Sequence, residues 1–274
     1  MKRAVLFLLL NLTICAIYAQ SQPVSQRLDA LLNDEILKTS EVGITVFDLT
    51  TGESLYRYQD EKLYRPASIE KVITSVTALA RLGADYTMDT HLRYTGKIEN
   101  DTLKGNLYLI GGFDPELMDE DLDSLVAAVE AQGIRYVTDT IAADVSMMDS
   151  VYWGPGWSWD DTPYSFQPYL SPLMLNRGCV DVSVSPAQKD SLPTVRCTPV
   201  SDYYRVCNRA VSRNPQAGKL EITRNWLSNG NVITVSGNVS RPYTGQVNIY
   251  TSKDFFFHTF IPVSYTHLTL PTIA

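Results

Sequence analysis

The hydrophobic and polar positions in the first part of the chain predict a helix followed by a hairpin. Apolar residues recur at helical spacing over residues 24–37, and they alternate with polar residues over residues 42–49 as in a half-buried strand. Residues 50–53 are typical of a turn, and a return strand through Leu55 and Tyr56 completes the pattern. A helix and two antiparallel strands are therefore expected before residue 60.

A second, strongly amphipathic helix is predicted to begin at Ser68. Pro66 lies just ahead of it and Gly83 lies just past it, which matches the residues with which helices start and stop. Its apolar side chains recur at helical spacing and are expected to form its core face; they are Val72, Ile73, Val76, Leu79 and Leu82. A serine therefore lies at the N-terminus of a predicted helix that follows a hairpin.

The pattern beyond residue 85 predicts both strands and a helix. Strands are expected at residues 91–94, 103–110 and 135–145, and a helix is expected at residues 122–132. This part of the chain is therefore predicted to be α+β.

The last third of the chain is predicted to be mainly β. An aromatic, loop-like stretch at residues 153–169 precedes it, and valines alternate with other residues over residues 180–184. Asn229-Gly230 separates the apolar segments 220–227 and 232–239, which is a strong hairpin signal. The fold class is therefore α+β, with a mainly β region after about residue 175.

The N-terminus predicts export. Lys2 and Arg3 supply a positive segment, residues 4–17 form an apolar run, and Ala19 is a small residue at which a leader is cleaved. The run is too short for a comfortable membrane span. We therefore expect residues 1–19 to be a signal peptide and the protein to be periplasmic, or otherwise secreted across the bacterial inner membrane.

The charge of the chain argues against one class of partner. The formal net charge is −7, and no basic stripe is evident. An acidic surface repels the phosphates of nucleic acids, so we expect no nucleic-acid partner. Peripheral membrane contact and the oligomeric state stay open.

Three cysteines lie outside the leader, namely Cys179, Cys197 and Cys207. An odd number allows one disulfide and one free thiol, or three buried thiols, and the spacing does not choose between them. No CxxC pair is present, so the sequence predicts neither a redox motif nor a thiolate zinc site.

The candidate chemistry lies in Ser68-Ile69-Glu70-Lys71. Residues three apart share one face of a helix, so the amine of Lys71 can reach the hydroxyl of Ser68. A lysine acts as the base for such a hydroxyl when burial and nearby positive potential destabilise its ammonium form. The helix N-terminus supplies positive potential, and the N–H of Ser68 is a candidate donor to an oxyanion.

Other catalytic arrangements find less support in the sequence. The histidines His91, His258 and His267 have no motif around them, and no HExxH spacing is present. Gly111-Gly112 lacks the lysine and helix of a phosphate-binding loop. We therefore expect no metal and no cofactor.

Several segments together resemble the low-molecular-mass class C penicillin-binding proteins, the D-alanyl-D-alanine carboxypeptidase/endopeptidase group of peptidase family S13. Ser-x-x-Lys is a known signature of penicillin-binding proteins. The resemblance covers residues 26–262, and it rests on the segments 65–71, 111–115, 154–161, 169–172 and 175–180.

This resemblance implies a fold and a domain order. A β-lactamase/transpeptidase-like domain would be interrupted, soon after the serine helix, by a large α+β to mainly β insertion. Residues 20–87 would be the N-terminal part of that domain. Residues 88–174 would form a first inserted domain, and residues 175–262 a second, mainly β one.

The resemblance also implies roles for four residues. Ser68 would be the nucleophile and Lys71 its base. Asp161 matches an acidic position that reads the free amine of the stem peptide's diamino acid, with Phe166 as a neighbour in that subsite. The partners would be peptidoglycan peptides and β-lactams, both of which acylate the same serine.

The chain departs from the family pattern towards its end. The family carries Ser-x-Asn and Lys-Thr/Ser-Gly motifs after the serine, and no Lys-Thr/Ser-Gly is present. Ser212-Arg213-Asn214 and Ser236-Gly237-Asn238 match only as strings inside the insertion. Residues 263–272 resemble a translated sequencing adaptor, so we expect residues 263–274 to be a non-native tail. A chain that lacks these motifs is expected to be unstable and inactive.

Two alternative functions stay open. A serine β-lactamase shares Ser-x-x-Lys, but it would lack so large an insertion and would carry a deacylating glutamate motif that we do not find. A secreted module that binds glycan or peptide would use Ser68 only as a helix cap. The reading frame beyond Pro262 would discriminate, because only the enzyme requires Ser-x-Asn followed by Lys-Thr-Gly.

Overall fold

The computed structural model describes residues 23–265. The chain divides into two compact units between Tyr86 and Thr87, and each unit is described by itself. The predicted signal peptide and residues 266–274 of the predicted tail lie outside the described residues. The predicted division of the inserted region near residue 175 stays a prediction.

The first unit begins with two short helices where the sequence predicts one. Helix α1 spans Val24–Leu31 and helix α2 spans Glu35–Lys38. The chain turns between them because Asp34 caps α2, its side chain accepting a hydrogen bond from the N–H of Ile36 at 3.0 Å. The prediction of one continuous helix is therefore wrong at residues 32–34.

The predicted hairpin is confirmed. Strand β1 spans Ile44–Asp48, strand β2 spans Glu53–Tyr58, and the two pair antiparallel. Asp48 organises the turn, since its Oδ1 accepts hydrogen bonds from the N–H of Thr50 at 2.7 Å and of Thr51 at 3.3 Å. These backbone hydrogen bonds, chiefly the one from Thr50, lower the pKa of the Asp48 carboxyl.

Helix α3 carries the candidate serine at its start. The α-helix spans Glu70–Leu82, and a 3₁₀ turn at Ala67–Ile69 leads into it. All five side chains expected on its core face are more than half exposed, from 51% for Leu82 to 64% for Val72. The prediction that this face is buried is wrong for the described residues, because none of them covers it.

The first part of the second unit contains two small sheets and one helix. One sheet has the order β3-β6-β8 and the other the order β4-β5-β7. Helix α4, Leu122–Glu130, packs its apolar face into the core with Leu103, Leu107 and Leu109. The strands are β3 His91–Tyr94, β4 Lys97–Glu99, β5 Thr102–Lys104, β6 Leu107–Ile110, β7 Tyr136–Val137 and β8 Ile141–Asp144.

Two of the predicted strands are each split in two. The chain passes from one sheet to the other at Gly105, and again between Val137 and Ile141. Gly105 is required at its break, because a Cβ there would lie 1.8 Å from the carbonyl oxygen of Thr95. A pattern of apolar residues does not reveal such a change of sheet.

The last part of the second unit consists of two three-stranded sheets. One has the order β10-β9-β14, and the other has the order β11-β13-β12. The strands are β9 Cys179–Ser185, β10 Thr194–Thr198, β11 Arg205–Ser212, β12 Glu221–Arg224, β13 Val232–Val239 and β14 Tyr243–Asn248.

The hairpin predicted around Asn229-Gly230 is confirmed in its pairing. Strands β12 and β13 run antiparallel, and Asn229 has a φ of 52° in the left-handed region. The first strand ends at Arg224 and not at residue 227, because residues 226–228 form a 3₁₀ turn.

Helix α5, Ser252–Tyr265, is the main element that sequence reasoning missed. The region after about residue 175 is mainly β, as predicted, with six strands among its described residues, and α5 is a helix that was not predicted from the sequence. The consecutive phenylalanines favour a strand on propensity alone. They form a helix because Phe256 and Phe260 then share one face, with ring centres 6.2 Å apart, and both are fully buried.

The described elements form an α+β fold, which confirms the predicted fold class. No helix among residues 23–265 combines the length and the apolar character needed to cross a bilayer.

Candidate active site

Ser68 lies in the 3₁₀ turn that leads into α3. Ala67, directly before it, has a φ of 45°, a left-handed conformation that costs a non-glycine residue about 1–2 kcal/mol. The N–H of Ile69 donates to the carbonyl oxygen of Pro66 at 3.1 Å and closes the turn. Backbone strain of this kind is concentrated at functional sites, so the position of Ser68 is of functional interest.

Ser68 and Lys71 are in direct contact. Lys71 Nζ lies 3.2 Å from Ser68 Oγ, because the two residues are three apart where the 3₁₀ turn continues into α3. As an ammonium, Lys71 donates this hydrogen bond; as a neutral amine, it can accept the proton of the hydroxyl. The contact expected from the sequence is present, and the catalytic roles of the two residues stay predictions.

The surroundings of this pair differ from the expectation in one respect. Both side chains are exposed to solvent, so the described residues do not supply the burial that would destabilise the ammonium form of a lysine base. The start of α3 still provides the positive end of a helix dipole beside Ser68.

Asp161 and Phe166 lie in the second unit, on one short segment. Asp161 is partly buried, and its carbonyl oxygen accepts a hydrogen bond from the N–H of Tyr164 at 3.0 Å. Phe166 is 67% exposed and stacks on Tyr164, with ring centres 5.4 Å apart and planes at 14°. The structure therefore links these two residues through Tyr164, whereas the serine–lysine pair belongs to the first unit.

The segment that carries Asp161 and Phe166 is held by a buried asparagine. Asn248, on β14, is fully buried, and its Nδ2 donates to the carbonyl oxygens of Gln167 at 2.7 Å and Tyr164 at 3.2 Å. Its own N–H donates to the carbonyl oxygen of Pro163 at 3.0 Å. Asn248 therefore holds this loop through both its side chain and its backbone.

Arg224, on β12, holds this asparagine in place by hydrogen bonds. It is 2% exposed, and its Nε donates to the backbone oxygen and to Oδ1 of Asn248, both at 3.0 Å. Its Nη1 donates to the carbonyl oxygen of Gly230 at 3.0 Å, and its Nη2 donates to Tyr169 Oη at 3.2 Å. Burial lowers the pKa of its guanidinium.

Sequence reasoning missed Arg224 and Asn248. The sequence offered one signal for this site, an arginine in the strand-like run Ile222-Thr223-Arg224. An arginine that is buried in a sheet needs several hydrogen-bond acceptors around it. The partner at residue 248 could not be found in this way, since the two strands belong to different sheets.

Two tryptophans near Asp161, Trp153 and Trp159, differ in how they contact the rest of the unit. Trp153 Nε1 donates to the carbonyl oxygen of Pro168 at 2.8 Å, and its ring packs on Tyr169. Trp159 is 67% exposed and leans on Trp226, with ring centres 5.3 Å apart. Trp153 therefore has a structural role, whereas Trp159 adds to an aromatic surface next to Asp161.

The three cysteines of the described residues are free thiols. Burial raises the pKa of Cys179 to about 12 and that of Cys197 to about 11, so neither is a ready thiolate. Within residues 23–265, no three His, Cys, Asp or Glu side chains are grouped so that they could share a metal ion.

Comparison with known proteins identifies relatives of this chain. The sequence pattern of the D-Ala-D-Ala carboxypeptidase 3 (S13) family matches residues 24–255. The D-alanyl-D-alanine carboxypeptidase of Actinomadura sp. strain R39 is 32% identical over 200 residues, which are 71% of this chain and 37% of that protein. The D-alanyl-D-alanine carboxypeptidase DacB of Haemophilus influenzae is 29% identical over 148 residues, or 54% of this chain and 31% of that protein.

Solved structures show the same relationship in the fold. Penicillin binding protein 4 (dacB) from Haemophilus influenzae matches with a TM-score of 0.68 and 22% identity, over 84% of this chain and 51% of that one. Its complex with a novel β-lactam matches with a TM-score of 0.62 and 19% identity, over 86% and 52%. The fold is therefore that of a penicillin-binding protein, and the chain spans about a third of the length of the curated relatives it matches. Because the family pattern covers most of its residues, the chain belongs to the D-Ala-D-Ala carboxypeptidase 3 (S13) family.

Proposed function

We propose that the protein is a serine-type D-Ala-D-Ala carboxypeptidase and DD-endopeptidase that acts on peptidoglycan stem peptides through an acyl-enzyme on Ser68. The observation that carries this proposal is the 3.2 Å contact between Lys71 Nζ and Ser68 Oγ at the start of α3. Membership of the S13 family and the activity named for the two curated relatives support it. They also favour acyl transfer over a binding module that lacks a nucleophile.

The first half of the reaction forms an ester. The amine of Lys71 takes the proton of the Ser68 hydroxyl as Oγ attacks the carbonyl carbon of the peptide bond between the two D-alanines. The N–H of Ser68, at the positive end of α3, is the candidate donor to the oxyanion that develops. The C–N bond then breaks, the leaving amine receives the proton from Lys71, and D-alanine departs.

The second half restores the serine. Water attacks the ester carbon, Lys71 accepts a proton from this water, and the Ser68 oxygen leaves and recovers that proton. The products are the shortened peptide with a free carboxylate and the unmodified enzyme. In the endopeptidase reaction the leaving amine belongs to a second peptide, and every other step is unchanged.

Asp161 and Phe166 are proposed to read the side chain of the diamino acid in the stem peptide. A carboxylate at residue 161 would pair with the free ammonium, and the ring of Phe166 would cover the methylene chain. Phe166 is exposed and stacks on Tyr164, which supports such a role.

We also propose that the protein binds β-lactams and works outside the cytoplasm. A β-lactam would acylate Ser68 in the same way as the peptide, and one matching structure is described as complexed with a β-lactam. The leader-like pattern of residues 1–19 and the location of peptidoglycan support an extracytoplasmic site of action.

Labelling with a fluorescent penicillin tests the proposal. The intact gene product should acquire the label and release D-alanine from a pentapeptide, and Ser68→Ala should abolish both. Ser75→Ala, on the same helix, is the matched control and should retain both activities. Covalent labelling of the Ser68→Ala variant at the wild-type rate would refute the assignment of the nucleophile.

A further inference from the structure

Asp161 lies on a loop that has a buried side and an exposed side. We call residues 158–167 the Asp161 loop. Gln167 is 3% exposed, whereas Tyr164 and Phe166 are more than half exposed. Asp161 itself is partly buried, between these two extremes. The buried side of the loop can therefore hold Asp161 in place while the exposed side faces a ligand.

The side chain of Gln167 closes the Asp161 loop. Its Nε2 donates to the carbonyl oxygen of Ser158 at 2.8 Å. The N–H of Asp161 donates to the same oxygen at 3.3 Å. A carbonyl oxygen has two lone pairs, so these two donors use it fully. The N–H of Asp161 is therefore hydrogen-bonded to the atom that Gln167 holds.

The carbonyl group of Asp161 is joined to the same glutamine. The N–H of Tyr164 donates to the carbonyl oxygen of Asp161 at 3.0 Å, and the N–H of Gln167 donates to the carbonyl oxygen of Tyr164 at 3.1 Å. Asp161 is therefore connected to Gln167 on both sides of its Cα. Loss of the glutamine side chain would leave only the connection through Tyr164.

Gln167 is itself held from the core of the second unit. Asn248 Nδ2 donates to its carbonyl oxygen at 2.7 Å, and Arg224 Nε donates to Asn248 Oδ1 at 3.0 Å. All three residues are buried. A continuous chain of hydrogen bonds thus runs from Arg224 through Asn248 and Gln167 to the backbone of Asp161.

The carboxylate of Asp161 has no charged neighbour that would fix its direction. It forms no ion pair with any residue in the range 23–265. The backbone that Gln167 holds is therefore what places this carboxylate.

We propose that Gln167 is a positioning residue that sets the preference of the enzyme for substrates with a free amine. This inference rests on the proposed function, in which Asp161 pairs with the amine of the diamino acid. Gln167 is buried and does not touch the substrate; it holds the loop so that the carboxylate of Asp161 meets the amine. The amine is remote from the bond that breaks, so its pairing with Asp161 stabilises the bound substrate and the transition state alike.

The release of D-alanine from two pentapeptides by the intact gene product tests the proposal. One peptide carries a free amine on its diamino acid, and in the other this amine is acetylated. Gln167→Met removes the donor and keeps the length of the side chain. It should lower the ratio of kcat/KM for the free-amine peptide to that for the acetylated peptide by about tenfold, chiefly through KM. A merely structural role would lower both values alike and leave the ratio unchanged.

Gln188→Met is the matched control, because Gln188 is an exposed glutamine of the same unit. It should keep the wild-type ratio. A ratio that falls equally in Gln188→Met and Gln167→Met would overturn the proposal.

A double-mutant cycle shows whether Gln167 acts through Asp161. Asp161→Asn removes the charge that pairs with the amine, so it should lower the ratio at least as much as Gln167→Met does. Adding Gln167→Met to Asp161→Asn should lower the ratio no further, because the positioned charge is already gone. A further loss of the same size would mean that Gln167 acts by another route, and the proposal would fail.

Gln167→Glu gives a second measurement if Gln167→Met yields too little folded protein. The carboxyl group that it introduces can donate to the Ser158 oxygen only when it is protonated. Burial raises the pKa of such a carboxyl, so the ratio, relative to the wild type at the same pH, should be low at about pH 8 and recover towards about pH 5. A relative ratio that does not change with pH would overturn the proposal.

The two proposals can fail separately. An unchanged ratio in Gln167→Met, together with a lowered ratio in Asp161→Asn, refutes only the role of Gln167. An unchanged ratio in Asp161→Asn refutes the proposed role of Asp161 and, with it, the role of Gln167. Neither result bears on Ser68, whose assignment depends on the penicillin label.

Discussion

The proposed reactivity of Ser68 depends on one amine, because a serine hydroxyl is a weak nucleophile until a base removes its proton. Lys71→Ala removes the group that lies 3.2 Å from Ser68 Oγ. We expect the rate of penicillin acylation of the intact gene product to fall by roughly 10²- to 10⁴-fold, the usual contribution of a positioned base. The measurement is the initial rate at which the fluorescent label is incorporated.

Lys62→Ala provides the control for this experiment, since it removes an exposed lysine of the same unit. It should leave the acylation rate unchanged. Undiminished acylation and hydrolysis after Lys71 is replaced by an uncharged residue would show that another group activates Ser68.

The buried thiol of Cys179 leads to a prediction about how the stability of the protein depends on pH. Burial raises its pKa from an ordinary 9.0 to about 12, so the folded protein holds the thiol proton more tightly than the unfolded chain does. This contribution to stability is complete below pH 9 and is lost as the pH rises from 9 towards 12. Its slope is at most about 1.4 kcal/mol per pH unit.

The difference in free energy of unfolding between the wild type and Cys179→Ala isolates the contribution of the Cys179 thiol. The difference should be constant from pH 7 to 8.5 and should shrink from pH 9 to 10.5, as measured by denaturant titration at each pH. Tyrosines that ionise in the same range are present in both proteins and cancel. A difference that does not change with pH would contradict the assignment.

At the scale of the elements, Arg224 joins β12 to β14 and to the loop that carries Asp161. Its guanidinium donates to Asn248, Gly230 and Tyr169, and it is almost completely buried. Arg224→Met leaves these acceptors without their donor, so we expect a loss of about 3 kcal/mol in the free energy of unfolding. Chemical denaturation followed by tryptophan fluorescence measures it.

Arg209→Met is the matched control, because Arg209 is exposed on β11, the opposite edge of the same sheet. A change within about 0.5 kcal/mol is expected there. Equal stability of the two variants would mean that the buried hydrogen bonds of Arg224 do not hold the loop.

Elements with a strong local signal were predictable. The β1–β2 hairpin has a turn stabilised by Asp48, and the pairing of β12 with β13 follows from the left-handed residue Asn229. Helix α5 was not predictable in this way, because its phenylalanines favour a strand locally. The segment forms a helix because its phenylalanines are then buried on one face, and their burial depends on the assembled core.

At the scale of the whole molecule, the exposed face of α3 leads to a prediction about the 274-residue chain itself. Ser68 and Lys71 are exposed, and the apolar side chains of α3 are more than half exposed. A lysine base needs removal from water, and exposed apolar surface of this extent promotes association. We therefore expect the 274-residue chain to be unstable and not to acquire a penicillin label under conditions that label the intact gene product.

Gel fluorescence after incubation of both proteins with the same penicillin tests this expectation. Size-exclusion chromatography of the 274-residue chain reports its association. Label on that chain that disappears in its Ser68→Ala variant would show that residues 1–274 contain everything needed for acylation.

The sequence by itself determined what depends on neighbouring residues. The contact between Ser68 and Lys71 follows from the three-residue spacing on a helical turn, and the turns at Asp48 and Asn229 follow from side-chain and backbone preferences. Such features depend on residues that are close together in the sequence, so the sequence alone is enough to predict them.

The tertiary structure alone decided what depends on distant segments. Arg224 and Asn248 meet across two sheets, and α5 is a helix because the core accepts its aromatic face. The physical reason is that hydrogen bonding and burial between distant segments outweigh local propensity, and the chain order does not state which segments will meet.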